Sequence, residues 1–296
     1  MITSYGAIAA LAMAVMLAIA GLWCRRERIG YTAWITLCAL GLPLAFLFSR
    51  LLFALSALGS GDILSSPLQM LYFWDGGASI TGAFIGMVIA AALAEKLCKV
   101  PRGALLDSVA LGAPAALIIE RLAEPAADLG LGRYIDTEWL YFLGNATDGR
   151  HPVFAYETAI ACVLLLVLLI TALRGVKHHG DLLLTFMTLY GCTQMVMESL
   201  RDDAHMVIYF IRINQILALV MAVIAFVIWI VRWCKKGAKK HHVILSCVVV
   251  VAAIAQGVVQ EFAVDSNPNL LLEYGIMALC VAVIATVSLI IRRKAE

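Results

Sequence analysis

This sequence has little charge. Only 14% of its 296 residues are Asp, Glu, Lys or Arg, while 63% are hydrophobic. A mean hydropathy of +0.94 excludes a water-soluble globular domain and an intrinsically disordered chain alike. Cysteine chemistry is scarce too. None of the 8 cysteines forms a CxxC pair; Cys24, Cys98 and Cys234 fall at the polar ends of apolar runs and the other five inside them, which argues against a disulfide framework or a metal site. Glycine-rich nucleotide loops and serine-hydrolase elbows are missing. So is any internal repeat, the usual sign of an inverted-repeat transporter. The opening MITSYG has no Lys or Arg, so the basic start of a cleavable signal peptide is absent and the first apolar run is expected to be a retained helix.

What is present is a series of apolar runs near 5–23, 31–56, 77–95, 104–122, 154–173, 181–200, 206–231, 243–261 and 269–291. Each is close to the roughly 20 residues that cross about 30 Å of hydrocarbon as helix. The expected fold class is therefore an all-α polytopic membrane protein. If the N-terminus faces outside and each run crosses once, 16 of the 22 basic residues fall in inner connections. The strongest of these is the linker RWCKKGAKKHH after the seventh run. The positive-inside bias thus predicts N-terminus out, C-terminus in, with one long outer insertion at about 123–153. That insertion carries Trp139, Tyr141 and Phe142, aromatics suited to a headgroup interface. The basic linker predicts a boundary between a core at 1–235 and an extra hairpin at 236–296. The doublets His178–His179 and His241–His242 lie in basic inner loops, where solvation is the ordinary state.

The exceptions to the apolar pattern are more informative. Arg50, Arg121 and Arg212 lie in or at the ends of apolar runs, and the stretch GAPAALIIERLAEPAADLG (112–130) holds Glu120, Arg121 and Glu124 within two turns. An ionised group at membrane depth costs at least about 2.5–3.5 kcal/mol unless it finds a partner or water. Snorkelling or structural pairing is the ordinary explanation. For Arg121 the candidate partners are Glu120, Glu124 and Glu198. In the sixth run Gln194, Glu198 and Arg201 are spaced four and three apart, so they share one helix face.

Five stretches occur together in order: YG at 5–6, WDGGASITGAFIG at 74–86, HPVFAYE at 151–157, YGCTQMVMESLR at 190–201 and RINQ at 212–215. Over about residues 1–235 this set resembles the bacterial prolipoprotein diacylglyceryl transferases, whose seven helices begin with the N-terminus outside. The resemblance implies an enzyme of lipoprotein biosynthesis in the bacterial cytoplasmic membrane. Its reaction would transfer a diacylglyceryl group from phosphatidylglycerol to the lipobox cysteine thiol of a prolipoprotein signal peptide, releasing glycerol phosphate. No cofactor, metal or nucleic acid is implied. Carried over by motif, Arg121, Glu124, Tyr190, Glu198 and Arg201 are the catalytic candidates. Tyr5, Arg50, Gly76, Gly77, Thr81, Gly82, His151, Tyr156, Glu157 and Gln194 are the substrate-binding candidates. A guanidinium suits a phosphate because its planar fork binds bidentately. The small residues at 76–86 would let a lipid approach a helix start, although close helix packing explains them equally well. Tyr5 and Tyr190 could donate to a lipid oxygen or anchor at the interface.

The departures are specific. Thr81 stands where the family has histidine, Gln194 where it has arginine, and Glu124 where the R-x-G-N motif has asparagine; the N-G-E that follows is unrecognisable. Neither Thr81 nor Gln194 can remove a thiol proton, whereas Glu124 could, at the cost of partly neutralising Arg121. Two alternatives stay open on the sequence: a catalytically silent relative that binds lipid or a protein partner, and a solute transporter.

Overall fold

All nine apolar runs are helical in the computed structural model, which describes residues 2–57, 77–127, 129–135, 149–202, 207–208, 211–264 and 270–295. In chain order these are α1 (Ile2–Arg26), α2 (Tyr31–Ala57), α3 (Ile80–Cys98), α4 (Ala104–Ala123), α5 (Val153–Leu173), α6 (Asp181–Leu200), α7 (Ile213–Lys235), α8 (Lys240–Val264) and α9 (Leu270–Ala295). A single 3-10 turn, Glu124–Ala127, extends α4. The aromatics at 139–142, and Gly76, lie outside the described residues.

One boundary differs from the sequence expectation. The seventh helix starts at Ile213 rather than near 206, because Val207–Ile208 pairs antiparallel with Ile211–Arg212 as β1 and β2. The segment MVIYFIR is β-branched and aromatic, and a continuous short apolar run carries no periodicity that separates strand from helix.

Among the described residues, seven helices are long and apolar enough to cross a membrane: α1, α2, α3, α5, α7, α8 and α9. The other two, α4 and α6, are interrupted by ionisable groups. Asp107, Glu120 and Arg121 lie on α4, and Asp181 and Glu198 on α6. Polar side chains at membrane depth need enclosure by protein. Both helices have it: 14 residues of α4 are buried, and no residue of α6 is exposed.

The chain divides into two compact units, Met1–Leu183 with Leu200–Ile213, and Leu184–Ser199 with Asn214–Glu296. In the first, α1 packs along α4, α2 along α3, and α4 along α5. Small residues permit the closest of these approaches. Gly82 and Gly86 on α3 sit against the carbonyls of Phe48 and Leu44 on α2, where a Cβ has no room. The helix-packing explanation of these small residues thus has a definite contact at Gly82, whose face is filled by a neighbouring helix. In the second unit α8 runs along α9. Their shared core includes Leu184, Cys192 and Met195 of α6, Ala222, Phe226 and Trp229 of α7, and Val250, Cys280 and Ile284 of the hairpin.

Two buried carboxylates, neither anticipated from the sequence, organise the connections of the first unit. Glu95 accepts from the backbone N–H groups of Gly103, Leu105 and Leu106 at 2.8–3.1 Å. Asp107 accepts from Gly180, Leu182 and Leu183 at 2.7–3.1 Å. Each satisfies amides that a helix start leaves without intrahelical partners and places a negative charge at the positive end of the helix dipole. Asp107→Ala strands three buried donors. At about 1 kcal/mol or more each, it is expected to destabilise the fold by roughly 3 kcal/mol, read as a lower unfolding temperature in detergent. An unchanged temperature would mean that water takes over those amides.

Candidate active site

Four acid and base side chains of the first unit meet where α4, α5 and the segment after α6 come together. Arg121 ends α4, and Glu124 opens the 3-10 turn one helical turn on. Glu157 lies in the second turn of α5, and Arg201 follows the last residue of α6. Their relative exposures are 6%, 3%, 5% and 6%.

Both arginines touch both carboxylates. Arg121 Nη1 donates to Glu124 Oε1 in a very short contact, and its Nε lies 3.2 Å from Glu157 Oε2. Arg201 Nη1 donates to the same Glu157 oxygen at 2.5 Å, and its Nη2 lies 2.9 Å from Glu124 Oε2. The formal charges, two positive and two negative, cancel. Mutual pairing is what makes four ions tolerable in an apolar interior, because a lone buried ion would cost several kcal/mol.

Backbone pairing fixes the arrangement. Residues 131–133 run beside 200–202: Arg133 N–H donates to Leu200 O at 3.0 Å and Asp202 N–H to Leu131 O at 3.2 Å. On its other side the same segment pairs with 149–151, through Gly132 N–H to His151 O at 2.8 Å and His151 N–H to Arg133 O at 3.0 Å. Arg212 Nη1 donates to Arg201 O at 2.6 Å, so this arginine is structurally paired rather than snorkelling. Gly130 has φ +80, and a Cβ there would lie 2.6 Å from Glu124 Oε2. Only glycine lets the chain turn this close to the carboxylate. Gly132 is equally confined, with Leu200 O 2.7 Å and Val153 Cγ2 2.6 Å from a Cβ.

An exposed group flanks the cluster. Arg150 lies 3.1 Å from Asp202 Oδ2, donates to the Tyr134 hydroxyl at 2.9 Å, and stacks its guanidinium 4.5 Å from the Tyr134 ring centre. His151 Nδ1 is 3.2 Å from the Tyr156 hydroxyl, so the histidine and tyrosine of HPVFAYE face each other beside α5. On α2, Arg50 Nη1 donates to Gly77 O at 2.7 Å and stacks over Phe53. Arg50 pins the chain at the glycine segment and does not merely snorkel. Ser79, two residues on, caps α3, and Thr81 is buried on that helix. The backbone of Tyr5 belongs to α1; its side chain lies outside the description.

A family model described as prolipoprotein diacylglyceryl transferase matches residues 1–231. The chain belongs to that family. Curated relatives named phosphatidylglycerol–prolipoprotein diacylglyceryl transferase include that of Brucella anthropi, 32% identical over 143 residues, or 47% of this chain and 51% of the relative. The Methylocella silvestris protein is 33% identical over 142 residues, covering 47% and 52%. That of Geobacter sulfurreducens is 29% identical over 140 residues, covering 47% and 54%. The chain thus spans about half the length of the curated relatives it matches. Family membership leaves the solute-transporter alternative without support.

Against the motifs of the prolipoprotein diacylglyceryl transferases, three sequence candidates for catalysis, Arg121, Glu124 and Arg201, come together in the first unit. Glu157, expected among the substrate contacts, is their fourth member. The remaining catalytic candidates belong to the second unit. There the Tyr190 ring stacks on Phe186 with centroids 5.2 Å apart, and Gln194 Nε2 is 3.4 Å from Glu198 Oε1. Arg121 pairs with Glu124 and Glu157 of the first unit. Sequence reasoning passed over the contributions of Gly130 and Gly132. The two glycines carried a signal in LGLGR, small residues just after a charged turn, but their partners are distant in the chain.

Proposed function

We propose that this chain transfers the diacylglyceryl group of phosphatidylglycerol to the lipobox cysteine of a prolipoprotein signal peptide, at the outer leaflet of a bacterial cytoplasmic membrane. The buried Arg121/Arg201 pair in a member of this family carries the reading. The cysteine sulfur attacks the glycerol carbon that bears the phosphate. A C–S bond forms as the C–O bond breaks, glycerol phosphate leaves with the bonding electrons, and the thiol proton passes to a carboxylate. Arg121 and Arg201 stabilise the charge that grows on the departing phosphate. Glu124 is a candidate to receive the proton, and the family motif makes Glu198 and Tyr190 further catalytic candidates. Tyr5, Arg50, Gly76, Gly77, Thr81, His151, Tyr156 and Gln194 hold lipid or peptide.

One observation favours a second reading, a relative that binds lipid without turnover. Both guanidiniums already hold carboxylates, and Glu124, Thr81 and Gln194 replace the family's residues. One assay separates the two. Purified protein, phosphatidylglycerol vesicles and a lipobox peptide should give a thioether product one diacylglyceryl heavier than the peptide. Bound phosphatidylglycerol without product would favour the silent relative, and neither would remove both readings.

We also propose the N-terminus-out orientation and a core at 1–235 carrying the site, with 236–296 as an addition; the family match ending at residue 231 supports that boundary. Single cysteines introduced into an otherwise cysteine-free variant test the orientation. A membrane-impermeant thiol reagent applied to intact cells should label position 145 and not position 240, and the reverse pattern would invert the topology.

A further inference from the structure

Residues beyond the family match hold the end of α6. Tyr274 of α9 donates its hydroxyl to Ser199 O at 3.0 Å. Gln215 Nε2 of α7 donates to Met195 O at 3.1 Å and to Glu261 Oε2 of α8 at 2.7 Å. Ser199 O belongs to the last turn of α6, whose carbonyls have no intrahelical donors. Ser199 is fully buried, so a protein donor takes the place of water there. Met195 O uses its second lone pair for Gln215, and Glu261 fixes which way that amide points. Glu198 stands between these two clasped carbonyls, and Gln194 immediately precedes the first of them.

We propose that the α8–α9 hairpin is a positioning element for the site: through Tyr274 and the Glu261–Gln215 pair it sets the last turn of α6, and with it the aim of Gln194 and Glu198. The proposal rests on the transferase reading only in taking those two side chains as part of the site. The hairpin also contains its own control. Near its other end Arg292 Nη1 donates to Thr185 Oγ1 at 2.9 Å, tying α9 to the start of α6, far along the helix from Glu198.

The test compares the two ends in the full-length protein. Tyr274→Phe combined with Glu261→Leu is the outer variant, and Arg292→Met the inner one. Three quantities are read for each: kcat and KM with phosphatidylglycerol and a lipobox peptide, unfolding temperature, and hydrogen exchange over residues 190–202. The outer variant is expected to lose about tenfold or more in kcat, as misplaced groups do, with KM for the peptide little changed and exchange faster across 194–202. The inner variant should lower the unfolding temperature and leave kcat and that exchange unchanged. Equal losses of kcat in both variants would make the hairpin a general stabiliser and overturn the proposal, as would an unaffected outer variant. If the wild type yields no product, the transferase reading fails by itself and exchange decides. Acceleration in the outer variant alone upholds the positioning role, and equal or absent acceleration ends it.

Discussion

Arg121→Lys is expected to remove most phosphatidylglycerol binding and transfer while leaving the protein folded. Lysine keeps the positive charge, so Glu124 and Glu157 stay compensated. It has one donor centre in place of the planar fork that reaches both carboxylates and, on the proposed reading, the phosphate. A charge-assisted contact of this kind is worth about 1.5–3 kcal/mol, or roughly 10- to 150-fold in affinity. The companion variant replaces both Arg121 and Glu124 by Leu and Met. Arg201 and Glu157 then remain as a balanced pair at 2.5 Å, and apolar packing often serves as well as a buried ion pair. The double variant should therefore fold and yet carry no phosphatidylglycerol through purification. Glu124→Asn, which restores the family residue, gives the cluster a formal charge of plus one and should bind an anionic headgroup at least as well as the wild type. Undiminished co-purified lipid in the double variant would reduce Arg121 to a structural ion.

Glu157→Leu is the variant expected to damage the fold most. Glu157 Oε2 approaches both Arg121 and Arg201. Without it the two guanidiniums lose a carboxylate they share, in a buried setting where water screens little. Removing one partner of a buried pair costs about 3–5 kcal/mol, because the remaining charge is left uncompensated. Poor accumulation in the membrane and a sharply lower unfolding temperature should follow. Glu157→Gln leaves the same charge imbalance but keeps an acceptor oxygen, and should fall between leucine and the wild type. If Glu157→Leu accumulates and unfolds like the wild type, the arginines are solvated and the cluster is open to water.

Much of this was open to reading from the chain alone. Apolar runs of membrane-spanning length specify helices because an isolated backbone in lipid must satisfy its own hydrogen bonds. That constraint is local, and each of the nine runs forms a helix over most of its length. The contact between Arg121 and Glu124 was equally legible, since residues three apart on a continuing helical turn are neighbours wherever the helix lies. The segment 206–212 escaped because six continuous apolar residues before Arg212 fit a strand or a helix, and only pairing with a second strand decides between them.

What the sequence by itself determined is the membrane class, the helices and the set of ionisable groups that need partners. Which partners they take was decided by the tertiary structure. Glu157 and Arg201 lie 44 residues apart, and on spacing Arg121 could as well have met Glu120 or Glu198. Charge attraction has no side-chain specificity, so helix packing and the strand-like pairing of 131–133 with 200–202 selected one set of neighbours. The same holds for Gly82, which suits a lipid surface or a helix contact equally until α2 fills the space. Local spacing fixes which side chains share a face; which faces meet depends on the whole chain, because close packing is a property of the assembled interior.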